Sequence, residues 1–250
     1  MKFAIVANPL LENAVLLRRE VSGRLESLGL ELTADVSVCD IIVTIGGDGT
    51  VLRHAVKGKP ILGIHAGTVG FLTEIDKTEL NLLEKLANGG YRIENRLLIY
   101  AAAKHFTATA LNEITVSAAP DTRGRHCVKI SAFAGESEFA VYRGDGLIFS
   151  TPTGSTGYSL SAGGCVFDPA IEAILLTPLY SHNLGAKPLV FSPQQRLRIV
   201  SRETLSVSVD GGELYSLPAG QELVVTRADD DARFVRLHDM PFAARLDKLR

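Results

Sequence analysis

The apolar run Ile41-Ile42-Val43-Thr44-Ile45 leads directly into Gly46-Gly47-Asp48-Gly49-Thr50, and Val51-Leu52-Arg53-His54-Ala55-Val56 comes next. A short continuous apolar run that ends at glycine reads as a buried strand. The residues after the turn can start a helix. A strand feeding a helix through a tight turn is the building unit of a parallel sheet, and no other feature of this chain constrains its fold as much. Glycines in such a turn let the backbone approach a ligand, because no Cβ stands in the way. The helix start offers free amide hydrogens and a positive dipole end to phosphate. One carboxylate, Asp48, sits within that phosphate-friendly turn. An acid there repels phosphate, so it calls for a chemical reason. The available reasons are proton acceptance from an attacking hydroxyl and ligation of a cation that accompanies the phosphates. Taken alone, a Gly-Gly-Asp-Gly run also fits a tight loop with no ligand. It is neither the spaced-glycine dinucleotide fingerprint nor a Walker loop.

The rest of the N-terminal third alternates in the same way. Phe3 to Ala7 reads as a strand. Ala14, Leu17, Val21, Leu25 and Leu28 fall on one helix face, and Gly29 is placed to end that helix. Pro60 to His65 is a further strand, and Asp76-Lys77-Thr78-Glu79 has the form of a capping box opening a helix through Leu86. The alternation predicts an α/β domain with a parallel sheet, whose ligands bind beyond the carboxyl ends of the strands. That is where the Gly46 to Thr50 turn lies.

Near Tyr91 the pattern changes. Arg96–Lys104, Phe106–Thr115, Val128–Phe133, Glu138–Tyr142, Leu197–Val200, Leu205–Val209 and Leu223–Arg227 are strand candidates, and few helical stretches interrupt them. Spacing of this kind predicts an all-β, sandwich-like second domain. The expected division is an α/β domain over residues 1–92 and a β-rich domain over 93–235. Phe242, Leu246 and Leu249 stand at helical spacing, so residues 236–250 are expected to return as a helix to the first domain.

Bulk properties exclude several classes. The 250 residues carry a formal net charge of -2, which gives no sign of a nucleic-acid or membrane-surface partner. No apolar stretch reaches membrane-spanning length. Cys39, Cys127 and Cys165 are odd in number and widely spaced, which forms neither a disulfide framework nor a zinc spacing and fits a reducing cytoplasm. The histidines form no metal-binding pair at helical spacing.

A second glycine-rich segment runs from Gly144-Asp145-Gly146 through Ser150-Thr151-Pro152-Thr153-Gly154-Ser155-Thr156-Gly157-Tyr158 to Ser161. Hydroxyls and backbone amides can bind ribose and phosphate without adding charge, and Tyr158 can offer a packing surface. A polar turn region in a sandwich reads the same way.

Together these segments resemble the NAD kinases, which phosphorylate the adenosine-side ribose 2′-hydroxyl of NAD to make NADP. The resemblance runs from Phe3 to the C-terminal helix. Its markers occur in the family's order: Gly46 to Thr50, Gly63-Ile64-His65-Ala66-Gly67 with Gly70-Phe71-Leu72, Leu111-Asn112-Glu113, Asp145-Gly146 with Ser150 to Tyr158, His182 to Leu184, and Val209-Asp210-Gly211. The first motif is shared with phosphofructokinases and with diacylglycerol and sphingosine kinases. The Thr-Pro-Thr-Gly-Ser-Thr run is far more specific.

The resemblance implies a role for each matching position. Asp48 is similar to the family's proton acceptor, with Gly46, Gly47, Gly49 and Thr50 forming the phosphate-donor turn. Arg53 matches a phosphate or ribose contact, and Phe71 matches the aromatic residue on the adenine side. Asn112 and Glu113 match the pair that holds the ribose of NAD. Asp145 resembles a carboxylate that helps place the nicotinamide amide, and Thr156, Gly157, Tyr158 and Ser161 resemble the adenine-binding stretch. Arg123 and Arg143 fall near NAD contacts. Members are homodimers or homotetramers in which a neighbouring subunit completes the NAD site, so His182 and Asp210 are candidate inter-subunit contacts. The sequence offers no self-contained metal cage, so Mg²⁺ or another divalent cation is expected to arrive with the donor, ATP or polyphosphate. The chain departs from common family residues at His65, Gly157, Ser181, Lys187 and Gly212. These bear on the shape of the nucleotide pocket and leave the catalytic motif intact. Two rival readings are a lipid kinase built on the first motif and a non-catalytic NAD-binding sensor.

Overall fold

The computed structural model describes residues 1–67, 70–120 and 127–246. Arg123 and Leu249, both singled out above, lie outside the described residues. The first elements are β1 (Lys2–Ala7), α1 (Glu12–Ser27), β2 (Glu31–Thr33), β3 (Ile41–Gly46), α2 (Asp48–Ala55) and β4 (Ile61–His65). A 3₁₀ turn (Leu80–Leu83), α3 (Glu84–Asn88) and β5 (Arg92–Arg96) come after them. Next are β6 (Ile99–Ala102), β7 (Thr107–Ala110), β8 (Glu113–Ala118), β9 (Val128–Ala134), β10 (Ser137–Gly144), β11 (Gly146–Ser150) and α4 (Tyr158–Ser161). The chain continues through β12 (Ile174–Leu179), β13 (Leu189–Phe191), β14 (Leu197–Ser201), β15 (Leu205–Val209), β16 (Glu213–Leu217) and β17 (Glu222–Arg227), and ends with β18 (Ala232–Arg236) and α5 (Phe242–Arg245). Two compact units form, one from Met1–Arg96 with Asp231–Arg250 and one from Leu97–Asp230.

The first unit is built on a six-stranded sheet of order β2-β1-β3-β4-β18-β5. All pairings are parallel except β18 with β5. β3 is buried along its whole length, as expected for a strand covered on both faces. Its Ile41, Val43 and Ile45 join Ala14, Leu17, Val21 and Leu25 of α1 in one core. α1 ends in a Schellman motif: Gly29 takes φ 73°, its N–H bonds the Glu26 carbonyl at 2.9 Å, and the Leu30 N–H bonds the Leu25 carbonyl at 3.1 Å. The expected capping box forms in part, with the Asp76 N–H donating to Glu79 Oε2 at 3.1 Å. The chain beyond it forms the 3₁₀ turn and then α3, rather than one helix to Leu86.

β18 falls inside the first sheet, between β4 and β5, whereas sequence reading assigned most of it to the β-rich domain. Strand periodicity cannot tell which sheet a strand joins. The division therefore falls at Arg96/Leu97 and Asp230/Asp231 rather than at 92/93 and 235/236.

The second unit contains two six-stranded sheets, β10-β9-β14-β17-β6-β7 and β13-β12-β11-β8-β15-β16. Every pairing in them is antiparallel. Ile99, Ile130 and Ile199 of the first sheet share a core with Val116, Phe149 and Val207 of the second, which makes a sandwich. The expected Phe106–Thr115 strand is broken at Leu111-Asn112 into β7 and β8. β11 and β12 are buried on both faces, because the segment after β11 covers the outer face of their sheet. Ser159 Oγ reaches Thr177 Oγ1 of β12 at 2.9 Å there.

Candidate active site

Gly47 is the N-cap of α2 and Asp48 its first residue. The backbone carbonyl of Gly46 accepts the Ala66 N–H at 3.1 Å, which ties the turn to the segment after β4. The Asp48 carboxylate is held from the other side. Its Oδ2 accepts the Phe71 N–H at 2.8 Å and its Oδ1 accepts the Leu72 N–H at 3.0 Å. A Cβ placed on Gly70 would lie 1.9 Å from Asp48 Oδ1 and 2.4 Å from its Cγ. Only glycine fits beneath this carboxylate. A Cβ on Gly46 would lie 2.3 Å from Thr50 Oγ1, so the turn is closely packed at Gly46, whereas Gly47 and Gly49 have open space beside them. Gly49 is exposed. Arg53 is exposed too, and its Nε donates to the Gly49 carbonyl of its own helix at 3.1 Å. This bond sets the guanidinium beside Gly49 of the turn and leaves its Nη groups facing outward from an exposed side chain.

Behind the Asp48 clamp lies a buried ion cluster that sequence reading did not find. The Glu74 carboxylate, with a fully buried side chain, accepts from Arg236 Nη1 at 2.9 Å, from Arg245 Nη2 at 3.0 Å, and from the N–H groups of Leu237 and His238 at 2.9 Å each. Glu94 pairs with Arg236 and Arg96. Burial raises the Glu94 carboxyl, but the two arginines overcome it and hold the group at about 2. These residues come from four distant parts of the chain, so no local motif announces them.

In the second unit, the break between β7 and β8 is organised by Asp210. This residue adopts φ 47° at the end of β15. Its carboxylate accepts the N–H groups of Leu111 at 2.9 Å, Asn112 at 2.7 Å and Glu113 at 3.0 Å. The sequence offered Asp210 as an inter-subunit contact, but here its carboxylate is engaged by three amides of its own chain. The physical reason is that the 111–113 turn leaves three N–H groups pointing inward, and a buried donor without a partner is costly. The hydroxyl-rich run packs directly on this turn. The Thr151 N–H bonds the Asn112 carbonyl at 3.0 Å, and a Cβ on Gly154 would lie 2.1 Å from that oxygen. Gly157 faces the ends of both side chains: a Cβ there would lie 3.4 Å from Glu113 Oε2 and 3.7 Å from Asn112 Nδ2. Asn112, Glu113, Gly157 and Asp210 are therefore neighbours.

Glu113 is buried and its Oε2 has no hydrogen-bond partner among the described residues. Burial, and then repulsion from Asp210, raise its carboxyl to about 7. Burial also raises Asp210, against the lowering effect of its three amide bonds. A buried acid with an open acceptor oxygen is suited to bind hydroxyl donors.

Several hydroxyls of the Ser150–Ser161 run serve the fold instead of a ligand. Ser155 Oγ donates to the Pro152 carbonyl at 2.6 Å and accepts the Phe167 N–H at 2.9 Å, and Thr151 Oγ1 accepts the Gly154 N–H at 3.0 Å. Composition could not separate these from Thr156 and Tyr158, which reach the surface to different degrees. Asp145 and Tyr158 share the lining of a cavity of about 250 Å³ with Thr115, Ser117 and Tyr180. Ser161 is exposed and lines a separate cavity of about 390 Å³ beside Tyr180 and Lys187. Arg143 and His182 are both exposed and adjacent, with the His182 N–H bonded to the Arg143 carbonyl at 2.8 Å. Among the described residues, no group of three or more His, Cys, Asp or Glu side chains could hold a metal ion. Among them, too, no helix is long and apolar enough to cross a membrane.

A carboxylate clamped in a glycine turn at the start of a helix, on a parallel sheet, together with an antiparallel sandwich carrying a buried acid beside a hydroxyl-rich turn, defines a nucleotide-dependent phosphotransferase. The description "ATP-NAD kinase C-terminal domain" matches residues 111–237, and "ATP-NAD kinase N-terminal domain" matches residues 28–91. The NAD kinase of Moorella thermoacetica is 40% identical over 220 residues, covering 83% of this chain and 70% of its own. That of Methanothermobacter thermautotrophicus is 34% identical over 263 residues, covering 95% and 92%. Among solved structures, an NAD kinase from Archaeoglobus fulgidus in complex with ATP superposes with a TM-score of 0.80 at 27% identity, covering 94% of this chain and 93% of that one. Yeast NADH kinase complexed with NADH shares the fold, with a TM-score of 0.90 at 21% identity, covering 100% and 87%. The chain belongs to the NAD kinase family and is an enzyme of that family.

Proposed function

We propose that this enzyme transfers the terminal phosphoryl group of ATP to the 2′-hydroxyl of the adenosine-side ribose of NAD, giving NADP and ADP. Asp48 orients that hydroxyl and accepts its proton as the new O–P bond forms and the bond to ADP breaks. The observation that carries this reading is the fixed Asp48 carboxylate, gripped by two amides above Gly70 in a turn otherwise suited to phosphate. A carboxylate is a weak base toward a free alcohol. The loose transition state of phosphoryl transfer lets the proton leave late, so positioning matters more than basicity. The turn offers amides and one carboxylate, a set suited to phosphates whose charge a divalent cation already offsets. Mg²⁺ would come with the donor and would supply charge stabilisation on the transferring phosphoryl group.

Asn112 and Glu113 bind the ribose hydroxyls, and Phe71, Asp145, Thr156, Gly157, Tyr158 and Ser161 complete the NAD-binding set. Asp210 acts through the turn it organises. Polyphosphate is a second donor to assay beside ATP. A cytoplasmic setting agrees with the three unpaired cysteines. A lipid kinase would need an apolar cleft in place of the hydroxyl-rich turn. A non-catalytic sensor would have no use for the Asp48 clamp.

The test is Asp48→Asn, assayed with NAD, ATP and Mg²⁺ and an NADP-specific dehydrogenase as readout. Turnover should fall roughly 100-fold or more, the scale of losing a positioned general base. A folded variant with near-wild-type turnover would remove Asp48 from the mechanism.

A further inference from the structure

The peptide unit that grips Asp48 is itself gripped from behind. The Leu72 N–H donates to Asp48 Oδ1 at 3.0 Å, and the Phe71 carbonyl of the same peptide unit accepts Arg245 Nη1 at 3.1 Å. The other arm of the same guanidinium, Nη2, reaches Glu74 Oε2 at 3.0 Å. Arg245 lies on α5, at the far end of the chain, and is buried. We infer that Arg245 is a positioning residue for Asp48, acting through the Phe71–Glu74 strap. This rests on the reading of Asp48 as the proton acceptor.

Charge balance separates this role from plain stabilisation. Arg236 and Arg245 both meet the same buried carboxylate, Glu74. Glu74 already has Arg236 and two amides. A second buried cation is not needed to neutralise it, and bringing one in carries a desolvation cost. Burial and the neighbouring Arg236 push the Arg245 guanidinium below its usual range, which is the sign of that cost. What Arg245 adds is the bond to the Phe71 carbonyl. A guanidinium suits the task because its planar fork spans two acceptors at a fixed angle, which a lysine cannot do. With the carbonyl fixed, the planar 71–72 peptide cannot turn its Leu72 N–H away from Asp48 Oδ1. Small misplacements of a reacting group are costly in phosphoryl transfer, where positioning does most of the catalysis.

The experiment compares Arg245→Ala, Arg245→Lys and Leu86→Ala in the full chain, by steady-state kinetics and by amide hydrogen exchange over residues 70–75. Leu86 is a core residue of the same unit that touches neither the strap nor Asp48 by any hydrogen bond, so its truncation tests lost stability alone. Arg245→Ala is expected to lower kcat about tenfold to 100-fold, the scale of a misplaced group. KM for ATP should stay within about twofold, and exchange at Phe71 and Leu72 should quicken about tenfold. Arg245→Lys should restore part of kcat, and Leu86→Ala should lower the melting temperature with wild-type kcat and 71–72 exchange below it. Wild-type exchange and kcat in Arg245→Ala overturn the inference, as does an equal kcat loss in Leu86→Ala. If Arg245→Ala does not fold, Arg245→Lys decides: wild-type exchange and kcat there overturn it. Asp48→Asn run in parallel separates the two failures. Retained turnover in that variant defeats the reading of Asp48, whereas lost turnover beside an unaffected Arg245→Ala defeats only the role of Arg245.

Discussion

Glu113→Gln is expected to make the protein more stable and poorer at binding NAD, by amounts that depend on pH. Glu113 is 7% exposed, and burial with Asp210 nearby raises its carboxyl from 4.5 to about 7. An acid raised on folding holds its proton more tightly in the native chain than in the unfolded one. Its contribution to stability is therefore complete below 4.5, the unfolded value, and is lost as pH rises through about 7. With these two values, the loss is about 1 kcal/mol at pH 5 and about 3 kcal/mol at pH 7, and it levels off above pH 8. Glutamine has no proton to lose. The stability of Glu113→Gln relative to wild type should thus grow by about 2 kcal/mol between pH 5 and pH 7. Taking the difference cancels the other groups that titrate alike in both proteins. Urea unfolding at pH 5, 6, 7 and 8, analysed by linear extrapolation, measures it. NAD binding should move the other way at pH 8, where wild type presents an ionised acceptor to the ribose; hydrogen bonds to charged groups contribute about 1.5–3 kcal/mol. A stability difference that stays flat across this range refutes the burial argument.

Gly70→Ala places a methyl group 1.9 Å from Asp48 Oδ1, so it should displace the carboxylate and lower kcat to a degree comparable with Asp48→Asn, roughly 100-fold, while circular dichroism stays native; unchanged kcat would show that the clamp is not needed. Asn112→Ala should weaken NAD binding by about 0.5–1.5 kcal/mol, the net worth of a neutral hydrogen bond, and leave ATP binding alone; unchanged NAD affinity by titration calorimetry would take Asn112 out of the site. If the NAD site is completed across a homodimer or homotetramer, specific activity should fall on dilution below the dissociation constant, as sedimentation velocity beside an activity dilution series would show; a fully active monomer would rule out the shared site.

The sequence alone determined the parallel-sheet unit, because β3, the glycine turn and α2 are consecutive and their signals are local. It determined that Asp48 is chemically out of place in a phosphate turn, and the order of motifs was enough to name the family. Local signals also located α1 and its glycine cap. What it could not decide were relations between residues far apart in the chain. β18 has the period of any strand, and only its pairing with β4 and β5 places it in the first sheet. Ser155 and Thr156 are adjacent hydroxyls of similar chemistry, yet packing buries the first and leaves the second within reach of solvent. Nothing in the residues beside Asp210 announces that its carboxylate collects the amides of Leu111, Asn112 and Glu113, about a hundred positions earlier. The orientation of Asp48 itself depends on Phe71, Leu72 and the missing side chain of Gly70, and that strap leans on Glu74 and Arg245. Motifs record which groups a site uses. Which way those groups point is fixed by burial and hydrogen bonds to distant backbone, and these exist only once the chain has folded.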